Sequence, residues 1–377
     1  MVFLFFFCVV TFIYTFIGYP ILLQFYANKN HSSDLASPIM QDLPEITILL
    51  CIYNSADKLE ARITNIFDSD YPANKLNLII VSDGSTDDPQ HVVDKVNNDK
   101  VTYIEYIDNK GKSHALNVGL REVKTELVAF TDVRQSFNDQ ALKNLVMNFS
   151  DKTIGAVSGN LEILKDEQNM ENDPGLYWKY EKWIRENESK LDSMLGVTGA
   201  IYMARHSLIP IIPEDTLLDD MYTPMHMIKN GFKIKFETLA IAYDSSSAST
   251  AEEFHRKVRT LAGNFQLISQ FPWLMHPTKN PLFWQFFSHK VLRLLMPYCL
   301  TLLLLSSFLL EDTLFNYFFW AQIGFYLYSM IAFLMIKRAK ELPFASICTS
   351  FCSLQLASLL AGWKYQFSST DKLWKKH

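Results

Sequence analysis

Long apolar stretches without charge lie near both ends of the sequence. The first extends from Val2 to Asn28 and is long enough to cross about 30 Å of hydrocarbon. It lacks the basic start and small-residue cleavage site of a signal peptide, so we interpret it as a retained membrane helix. Leu294–Leu310 and Thr313–Ile336 are also uncharged, and Leu342–Trp363 is uncharged but diluted by polar residues. This pattern predicts one N-terminal membrane helix and two or three C-terminal spans.

Charges beside these stretches predict the topology. Basic residues lie at 289–293 before the first C-terminal stretch and at 337–340 after the second, and an acidic pair lies between the two stretches. Because basic loops tend to stay inside, we expect residues 29–281 to be cytoplasmic in a multi-pass protein of the plasma membrane. If the last stretch crosses fully, the basic tail at 364–377 lies outside, so a re-entrant or interfacial position stays open for that stretch.

The hydrophobic pattern divides the chain into five parts. They are an N-terminal transmembrane helix at 1–28, a cytoplasmic domain at 43–281, an interfacial helix at 282–293, a membrane region at 294–363 and a basic tail at 364–377. The interfacial helix is predicted because this segment is rich in aromatic residues and ends in basic residues.

The period of the pattern changes at Glu45, where short apolar runs begin to alternate with helical stretches. The predicted strands are Glu45–Ile52, Leu76–Ser82, Val101–Ile107 and Glu126–Thr131, and the predicted helices are Asp57–Phe67, Thr86–Asn97 and Lys112–Val123. This alternation is typical of an α/β domain with a mostly parallel sheet and helices on both faces. Such sheets bind ligands beyond the carboxyl ends of their strands, so residues that follow a strand are the first candidates for a site.

Composition and motifs exclude several classes of protein. Hydrophobic residues make up 49% of the 377 residues and charged residues 20%, below the usual share of about a quarter in soluble domains. The net charge of −5 gives no reason to expect a nucleic-acid partner. The five cysteines form no zinc-like CxxC pair, and GxGxxG, Walker A, GxSxG and HExxH are absent from the sequence. Nucleotide oxidoreductases, P-loop kinases and serine hydrolases therefore lose support.

Five motifs follow one another through the middle of the chain. In order, they begin at Asp83 (DGSTD), Asp132 (DVR), Gly199 (GAIY), Asp219 (DD) and Arg256 (RKVR). In this order and spacing, residues 43–297 resemble the family 2 glycosyltransferases. They are most similar to the membrane-embedded branch with cellulose, chitin, hyaluronan and poly-N-acetylglucosamine synthases. The resemblance implies a GT-A-type fold and transfer of a hexosyl or N-acetylhexosaminyl group from a nucleotide sugar, most simply a UDP-sugar.

The resemblance assigns four residues to the donor. Asp83 matches the acid that contacts uracil, and Lys112 matches a lysine that can approach the diphosphate at a helix N-terminus. Asp132 matches the first acid of the DxD metal motif, which holds Mg²⁺ or Mn²⁺ together with phosphate oxygens. Arg134 replaces the second acid, so it either leaves the metal to Asp132 or supplies positive charge itself. The plainer interpretations are a turn at Asp83, a solvated loop tip at Lys112 and a helix cap at Asp132.

The resemblance assigns three further residues to transfer. Asp219 and Asp220 match the acidic pair of the family's TED motif, in which the second acid is the catalytic base. Asp220 would take the proton of the acceptor hydroxyl as that oxygen attacks C1 with inversion. Gly199 matches a small-residue turn near the acceptor. The alternatives are an acidic helix start and an ordinary turn between strands.

Arg256 and Arg259 match the arginine positions of the family's Q(Q/R)xRW motif. At i and i+3 they share one face of a helix, and guanidinium groups can bind phosphate in a bidentate manner. An ordinary basic helix face is the alternative. Thr260 stands where processive synthases carry a tryptophan that stacks on the acceptor, so the sequence leaves processivity open.

The sequence therefore predicts a membrane-anchored inverting glycosyltransferase. Its expected partners are a nucleotide-sugar donor, a polysaccharide or lipid-linked acceptor, membrane lipid and subunits of a polysaccharide assembly. The small number of spans and Thr260 favour a lipid acceptor, whereas the flanking helices and the arginine pair favour a polymer. The rival hypothesis is a non-catalytic glycosyltransferase-like subunit, which the substitutions at Arg134 and Thr260 motivate.

Overall fold

The computed structural model describes residues 1–30, 42–164, 176–245, 250–336 and 342–367. They belong to two compact units. The sheet unit comprises Lys29–Asn172 and Glu188–Ser247, and the helical unit comprises Met1–Asn28, Asp173–Asn187 and Ala248–His377. The basic cluster at 337–340 and the tail from residue 368 onward lie outside the described residues, so the topology that they predict stays a prediction.

Within the described residues, eight strands form one mixed sheet in the order β3-β2-β1-β4-β7-β6-β8-β5. The strands are β1 Ile46–Ile52, β2 Leu76–Asp83, β3 Val101–Tyr106, β4 Leu127–Thr131, β5 Ser136–Phe137, β6 Ile154–Leu164, β7 Ile201–Arg205 and β8 Lys233–Ser245. Strands β3, β2, β1 and β4 run parallel, β7 is antiparallel to both of its neighbours, β6 and β8 are parallel, and β5 is antiparallel to β8. The predicted α/β class is confirmed, and the four predicted strands correspond to β1–β4.

The helices surround this sheet or form the helical unit. They are α1 Val2–Ile13, α2 Tyr19–Asn30, α3 Ala56–Phe67, α4 Pro89–Val96, α5 Lys112–Glu122, α6 Ala141–Met147, α7 Leu176–Leu191, α8 Asp219–Lys229, α9 Thr250–Gln270, α10 Phe283–Phe286, α11 Leu292–Leu309, α12 Thr313–Ile336 and α13 Ala345–Phe367. Helical π turns at Tyr14–Gly18 and Phe287–Val291 join α1 to α2 and α10 to α11.

The helix predicted at Thr86–Asn97 is shorter than expected. It begins at Pro89, because the Asp88 side chain caps it by accepting the backbone N–H of His91. Thr86 instead donates its backbone N–H to Asn54 Oδ1 over 2.9 Å. Residues before Pro89 are therefore used to tie the loop after β2 to the loop after β1.

The core explains why helices cover both faces of the sheet. Along β1, Ile48 and Leu50 are fully buried in the cluster that also contains apolar residues of α3 and α6. Leu49 lies on the opposite face of the strand, as the period of two requires. It contacts α5 so closely that a Cβ added at Gly119 would lie 2.3 Å from Leu49 Cδ1. The glycine thus allows α5, which carries Lys112, to lie directly on the sheet.

Four described helical segments are long and apolar enough to cross a membrane. They are Val2–Lys29, Phe283–Leu309, Thr313–Met335 and Ala345–Phe367. The stretch that the sequence left open is therefore a continuous helix of 23 residues. The segment predicted as an interfacial helix at 282–293 continues into α11 through a π turn, and its position at the membrane surface stays a prediction.

A buried charged cluster connects α7 to α11 within the helical unit. Glu181 accepts a hydrogen bond from Arg293, and its carboxylate lies 3.1 Å from His289 Nε2. Burial alone would raise the pKa of Glu181, but Arg293 and His289 hold it well below its usual range. The Arg293 guanidinium also lies 5.3 Å from the centroid of the Tyr180 ring. Arg293 is one of the basic residues from which the membrane topology is predicted. Its charge is neutralised by this buried ion pair with Glu181.

Candidate active site

The predicted donor residues gather at one edge of the sheet. Strands β1, β2 and β4 are parallel, so their carboxyl ends meet there. Asp83 is the last residue of β2, and Asp132 directly follows β4. Lys112 is the first residue of α5, at the end of the connection from β3. The structure therefore brings together side chains that lie tens of residues apart in the sequence.

The Asp83 carboxylate is held by its own chain. It is only 5% exposed. Oδ1 accepts hydrogen bonds from Tyr106 Oη and from the backbone N–H of Lys110, both at 2.8 Å. Oδ2 accepts the backbone N–H of Gly111, also at 2.8 Å. Asp83 thereby shapes the loop that leads into α5. Oδ1 already accepts two hydrogen bonds, whereas Oδ2 keeps a lone pair for one further donor.

Lys112 lies between two acidic residues. Its Nζ is 3.0 Å from Asp132 Oδ1 and 3.9 Å from Asp219 Oδ2. Burial works to lower the pKa of Lys112, but the two carboxylates outweigh it and raise the pKa above its usual value. The side chain is therefore a fixed ammonium ion at physiological pH, at the end of a helix whose free N–H groups favour anions.

The surroundings of Asp132 suit a divalent cation that is completed by phosphate oxygens. The side chain is 41% exposed, and one oxygen already binds the Lys112 ammonium, so this place attracts positive charge. Magnesium-like ions in phosphate sites commonly use one or two carboxylates and take their other ligands from the substrate and water. The described residues contain no cluster of three or more His, Cys, Asp or Glu side chains that could hold a metal. The site therefore fits a metal together with a diphosphate and does not form a closed protein cage.

Arg134 is paired with a residue far along the chain. Its Nη2 lies 3.1 Å from Asp244 Oδ2, near the end of β8. Gln135 Nε2 donates to the same carboxylate oxygen over 2.8 Å. The charge that replaces the second acid of the motif is thus partly neutralised, although the Arg134 side chain is 43% exposed.

The acidic pair begins α8, next to Gly199. The side chain of Asp219 is 14% exposed, and the backbone oxygen of Asp220 accepts the N–H of Val197 over 2.9 Å. A Cβ added at Gly199 would lie 3.8 Å from Lys112 Nζ and 3.9 Å from Asp220 Oδ2. Gly199, Lys112 and Asp220 therefore border an open space the size of a methyl group.

Helix α5 also holds the loop that leads to the acidic pair. Asn117 Nδ2 donates to the backbone oxygen of Ile212 over 2.7 Å, and Asn117 Oδ1 accepts the N–H of Ile212 over 3.0 Å. Ser113 Oγ donates to the backbone oxygen of Thr216 over 3.3 Å. One helix thus positions both Lys112 and the segment that precedes Asp219.

The arginine pair lies on the predicted helix. Arg256 and Arg259 are one turn apart on α9, as their spacing requires. This helix belongs to the helical unit, whereas Asp83, Lys112, Asp132 and the acidic pair belong to the sheet unit. The role of the two arginines in donor binding stays a prediction.

Sequence reasoning missed three residues near the acids. Burial raises the pKa of the half-buried Cys51 thiol, with Lys112 opposing this effect, and burial also raises the pKa of Tyr202 well above its usual value. Nearby carboxylates, including that of Asp219, add to both shifts. Nothing in the apolar runs around Cys51 and Tyr202 marks them. The third is Arg62, and a charged residue within the apolar stripe of α3 is a signal that could have revealed it.

Comparisons with known proteins agree with this arrangement. Residues 47–209 match the family described as Glycosyl transferase family 2. The poly-beta-1,6-N-acetyl-D-glucosamine synthase of Staphylococcus aureus (strain MSSA476) is 25% identical over 257 residues, which are 65% of this chain and 60% of that protein. The Staphylococcus epidermidis protein of the same name (strain RP62A) is 22% identical over 251 residues, which are 64% and 59% of the two chains. The chain thus spans about 60% of the length of the curated relatives that it matches.

A solved structure extends the likeness to almost the whole chain. The mannosyltransferase PcManGT from Pyrobaculum calidifontis, in complex with GDP-Man and Mn²⁺, has a TM-score of 0.72 and 21% identity, covering 97% of this chain and 99% of the other. This likeness confirms a GT-A-type fold. The four apolar helices and the curated relatives indicate a membrane protein. From these findings we conclude that residues 47–209 carry a domain that matches the Glycosyl transferase family 2, in a chain whose four apolar helices indicate a membrane protein.

Proposed function

We propose that this protein is an inverting glycosyltransferase that moves a sugar from a nucleotide sugar to a polysaccharide or glycolipid acceptor. One observation carries the proposal. The Lys112 ammonium lies between Asp132 and Asp219, and Asp220 and Gly199 border the same open space. Transfer of a sugar from a diphosphate to a hydroxyl needs a positive charge for the leaving diphosphate and a base for the hydroxyl proton. Lys112 could supply the charge, and Asp220 could act as the base.

In this proposal the donor binds along the edge formed by Asp83 and Lys112. The remaining lone pair of Asp83 Oδ2 would accept an N–H or O–H group of the nucleotide base or ribose. Lys112 would exchange a carboxylate contact for oxygens of the diphosphate, at a helix end that favours anions. The family resemblance adds Arg256 and Arg259 of α9 as further phosphate ligands.

Asp132, with Asp219 nearby, would hold a divalent cation. Bound Mg²⁺ or Mn²⁺ would supply charge stabilisation to the departing diphosphate. The Mn²⁺ that accompanies GDP-Man in the structural relative supports this assignment. Arg134, which is paired with Asp244, would contribute less positive charge than a free guanidinium.

Asp220 is the proposed base. Its carboxylate would remove the proton of an acceptor hydroxyl while that oxygen forms a bond to C1 of the sugar. The bond from C1 to the phosphate oxygen breaks on the opposite face, and its electron pair leaves with the nucleoside diphosphate. An α-linked donor then gives a β-linked product. Asp219 is less suitable because it already faces Lys112 at 3.9 Å.

The donor class rests on the relatives. The curated relatives are named for a polymer of N-acetylglucosamine, which supports a UDP-linked N-acetylhexosamine as donor. GDP-mannose, bound in the structural relative, is the alternative. We further propose that the sheet unit faces the cytoplasm, in agreement with the basic residues that precede α11.

A cavity in the helical unit favours an acceptor with a lipid tail. It has a volume of about 490 Å³ and is formed by residues of α1, α11, α12 and α13, including Phe12, Leu303, Phe325 and Phe351. Its lining is almost wholly apolar, which suits a hydrocarbon chain better than a sugar. A growing polymer remains the competing acceptor.

The experiment is a donor screen with full-length protein in detergent and native membrane lipid. UDP-sugars and GDP-sugars are supplied in turn with Mn²⁺ or Mg²⁺, and nucleotide release is measured for the wild type and for Asp220→Asn. Release with one donor that Asp220→Asn abolishes is the expected result. Release that persists in Asp220→Asn would show that the base is misassigned.

The same screen tests the rival functions. Nucleotide binding without release under any condition would favour a non-catalytic subunit of a polysaccharide assembly. Product size separates the acceptors, since a ladder of lengths indicates a polymer and a single added sugar indicates a lipid acceptor.

A further inference from the structure

Arg62 is a buried cation close to the edge of the sheet that carries Asp83, Lys112 and Asp132. This edge is called the donor edge below. It shares the apolar stripe of α3 with Leu59, Ile63 and Ile66, and it is only 2% exposed. Burying a guanidinium is costly unless hydrogen bonds and charges compensate it. A leucine at this position would complete the stripe at no such cost, so the contacts of Arg62 call for an explanation.

These contacts converge on the segment that carries Asp132. Arg62 Nη2 donates to Thr131 Oγ1 over 2.6 Å, and Thr131 is the residue before Asp132. Thr131 Oγ1 in turn lies 3.0 Å from the backbone oxygen of Ala200, which follows Gly199. Arg62 is thereby linked through Thr131 to the segment that carries Asp132 and to the turn at Gly199.

Asn65, one turn further along α3, holds the other end of the same segment. Its Oδ1 accepts the N–H of Phe137 over 2.8 Å, and its Nδ2 donates to the backbone oxygen of Phe137 over 3.0 Å. Arg62 Nη1 donates to Asn65 Oδ1, and the Arg62 guanidinium lies 4.0 Å from the centroid of the Phe137 ring. Arg62 and Asn65 therefore bracket residues 132–136, one at each end.

The charge of Arg62 also links this residue to Asp132. The described ion pairs include no carboxylate in contact with it. Burial lowers the pKa of Arg62 to about 9, while the carboxylate of Asp132 works against this decrease. Arg62 thus stays protonated at neutral pH, and its positive field reaches Asp132.

We propose that Arg62 and Asn65 are positioning residues that fix the 132–136 segment, so that Asp132 is presented to the metal and diphosphate of the donor. This inference rests on the proposed function, since it assumes that Asp132 binds the donor complex. It adds a role for α3, to which the sequence motifs assign none. The competing explanation is that Arg62 only completes the core.

The test compares the Mn²⁺-dependent and Mn²⁺-independent parts of nucleotide affinity. UDP binding to the full-length protein, with GDP in parallel, is measured by calorimetry in Mn²⁺ and in EDTA, and thermal unfolding is recorded. The variants are Arg62→Met, Arg62→Lys and the isosteric Thr131→Val, which removes the acceptor of the Arg62 hydrogen bond.

Arg205→Met is the matched control. Arg205 is also mostly buried, donates to the backbone oxygens of Ile154 and Phe149, and lies 5.4 Å from the Phe149 ring centroid. It pairs with Leu127, at the end of β4 opposite to Thr131. Its loss should destabilise the sheet unit without reaching the donor edge.

We expect Arg62→Met to lower the affinity in Mn²⁺ by about tenfold or more, as loss of a residue that orients a metal ligand usually does. The affinity in EDTA should change by less than about twofold, and Arg62→Lys should be intermediate because it keeps the charge but loses the planar fork. Thr131→Val should reproduce the effect in a weaker form. Arg205→Met should lower the unfolding temperature and leave both affinities unchanged.

Wild-type affinity in Mn²⁺ for Arg62→Met would overturn the inference, as would wild-type affinity for Thr131→Val if Arg62→Met does not fold. An equal loss in Mn²⁺ and EDTA, or an equal loss in Arg205→Met, would also overturn it, because either result is what a purely structural role predicts. A wild-type protein that binds neither nucleotide would refute the proposed donor site itself. That failure is distinguishable because it appears before any substitution is made.

Discussion

Asp83 and Asp132 occupy equivalent places in the fold but differ in exposure and in contacts. Both stand at the carboxyl end of a parallel strand, β2 or β4. Asp83 is 5% exposed and accepts hydrogen bonds from Tyr106 and from two backbone N–H groups. Asp132 has a side chain that is 41% exposed, and its Oδ1 lies 3.0 Å from the Lys112 ammonium. An acid at a strand end is therefore held by its own chain in one case and left accessible in the other.

The two acids are connected through Lys112. Asp83 fixes the backbone of Lys110 and Gly111, which directly precede α5. The first residue of that helix is Lys112, which contacts Asp132. Contacts therefore run from the buried Asp83, through the start of α5 at Lys112, to the accessible Asp132.

The largest effect is expected at Asp220, which extends the comparison to the transfer step. Asp220→Asn should lower kcat by about 10²–10⁴, the usual contribution of a general base. Nucleotide affinity should stay near that of the wild type. Steady-state turnover beside calorimetry measures both quantities. Asp219→Asn is the matched control, and a larger loss of kcat there than in Asp220→Asn would reverse the assignment.

Asp83→Asn tests the structural half of the comparison. The amide would place a donor against a backbone N–H, costing about 2–3 kcal/mol of folding free energy. For a unit of this size, that lowers the thermal midpoint by about 4–12 °C. Tyr106→Phe removes only one donor to Asp83, so its midpoint should fall less. Unchanged unfolding of Asp83→Asn would show that the carboxylate does not hold the loop.

Asp132→Asn tests the chemical half and should behave in the opposite way. Its ion pair with Lys112 is partly exposed, and such pairs contribute about 0–1 kcal/mol to stability, so the thermal midpoint should barely move. UDP affinity in Mn²⁺ should fall by at least about tenfold, because the loss of residues that only orient a metal ligand already costs that much. A large loss of stability with unchanged affinity would erase the distinction between the two acids.

The smallest effect is expected at Gly199. An added methyl group would make ordinary contacts of 3.8 and 3.9 Å with Lys112 and Asp220, so Gly199→Ala should fold normally. It should lower kcat/KM by about three- to tenfold by occupying the open space, equivalent to at most about 1.4 kcal/mol. Gly196→Ala is the contrast, since its Cβ would lie 2.2 Å from Met221 Sδ and should destabilise the protein. Full activity of Gly199→Ala would argue against substrate in that space.

The sequence predicts one half of the sheet well and the other half poorly. Strands β1–β4 alternate with helices and have continuous apolar runs, which local patterns reveal. Strands β6 and β8 are long and pair with register shifts between Ile154 and Ala156 and between Ser158 and Asn160. Such irregularities interrupt the period of two on which strand prediction depends.

The site shows the same limit. Motif order predicts Asp83, Lys112 and Asp132 as site residues, because each follows a predicted strand or begins a predicted helix. The pairing of Arg134 with Asp244, 110 residues away, is a tertiary contact that no local pattern encodes. Arg62 was missed because a charged residue in an amphipathic helix usually lies on the solvent side.

The most direct test of the account is a structure of the full-length protein with Mn²⁺ and UDP, in which the metal is located by its anomalous scattering. The account predicts a Mn²⁺ ion bound to the Asp132 carboxylate and to the diphosphate, with Lys112 moved from Asp132 toward phosphate oxygens. It also predicts that Asp83 keeps its hydrogen bonds to the backbone of Lys110 and Gly111. A nucleotide bound elsewhere, or a diphosphate bound with no metal at Asp132, would contradict it.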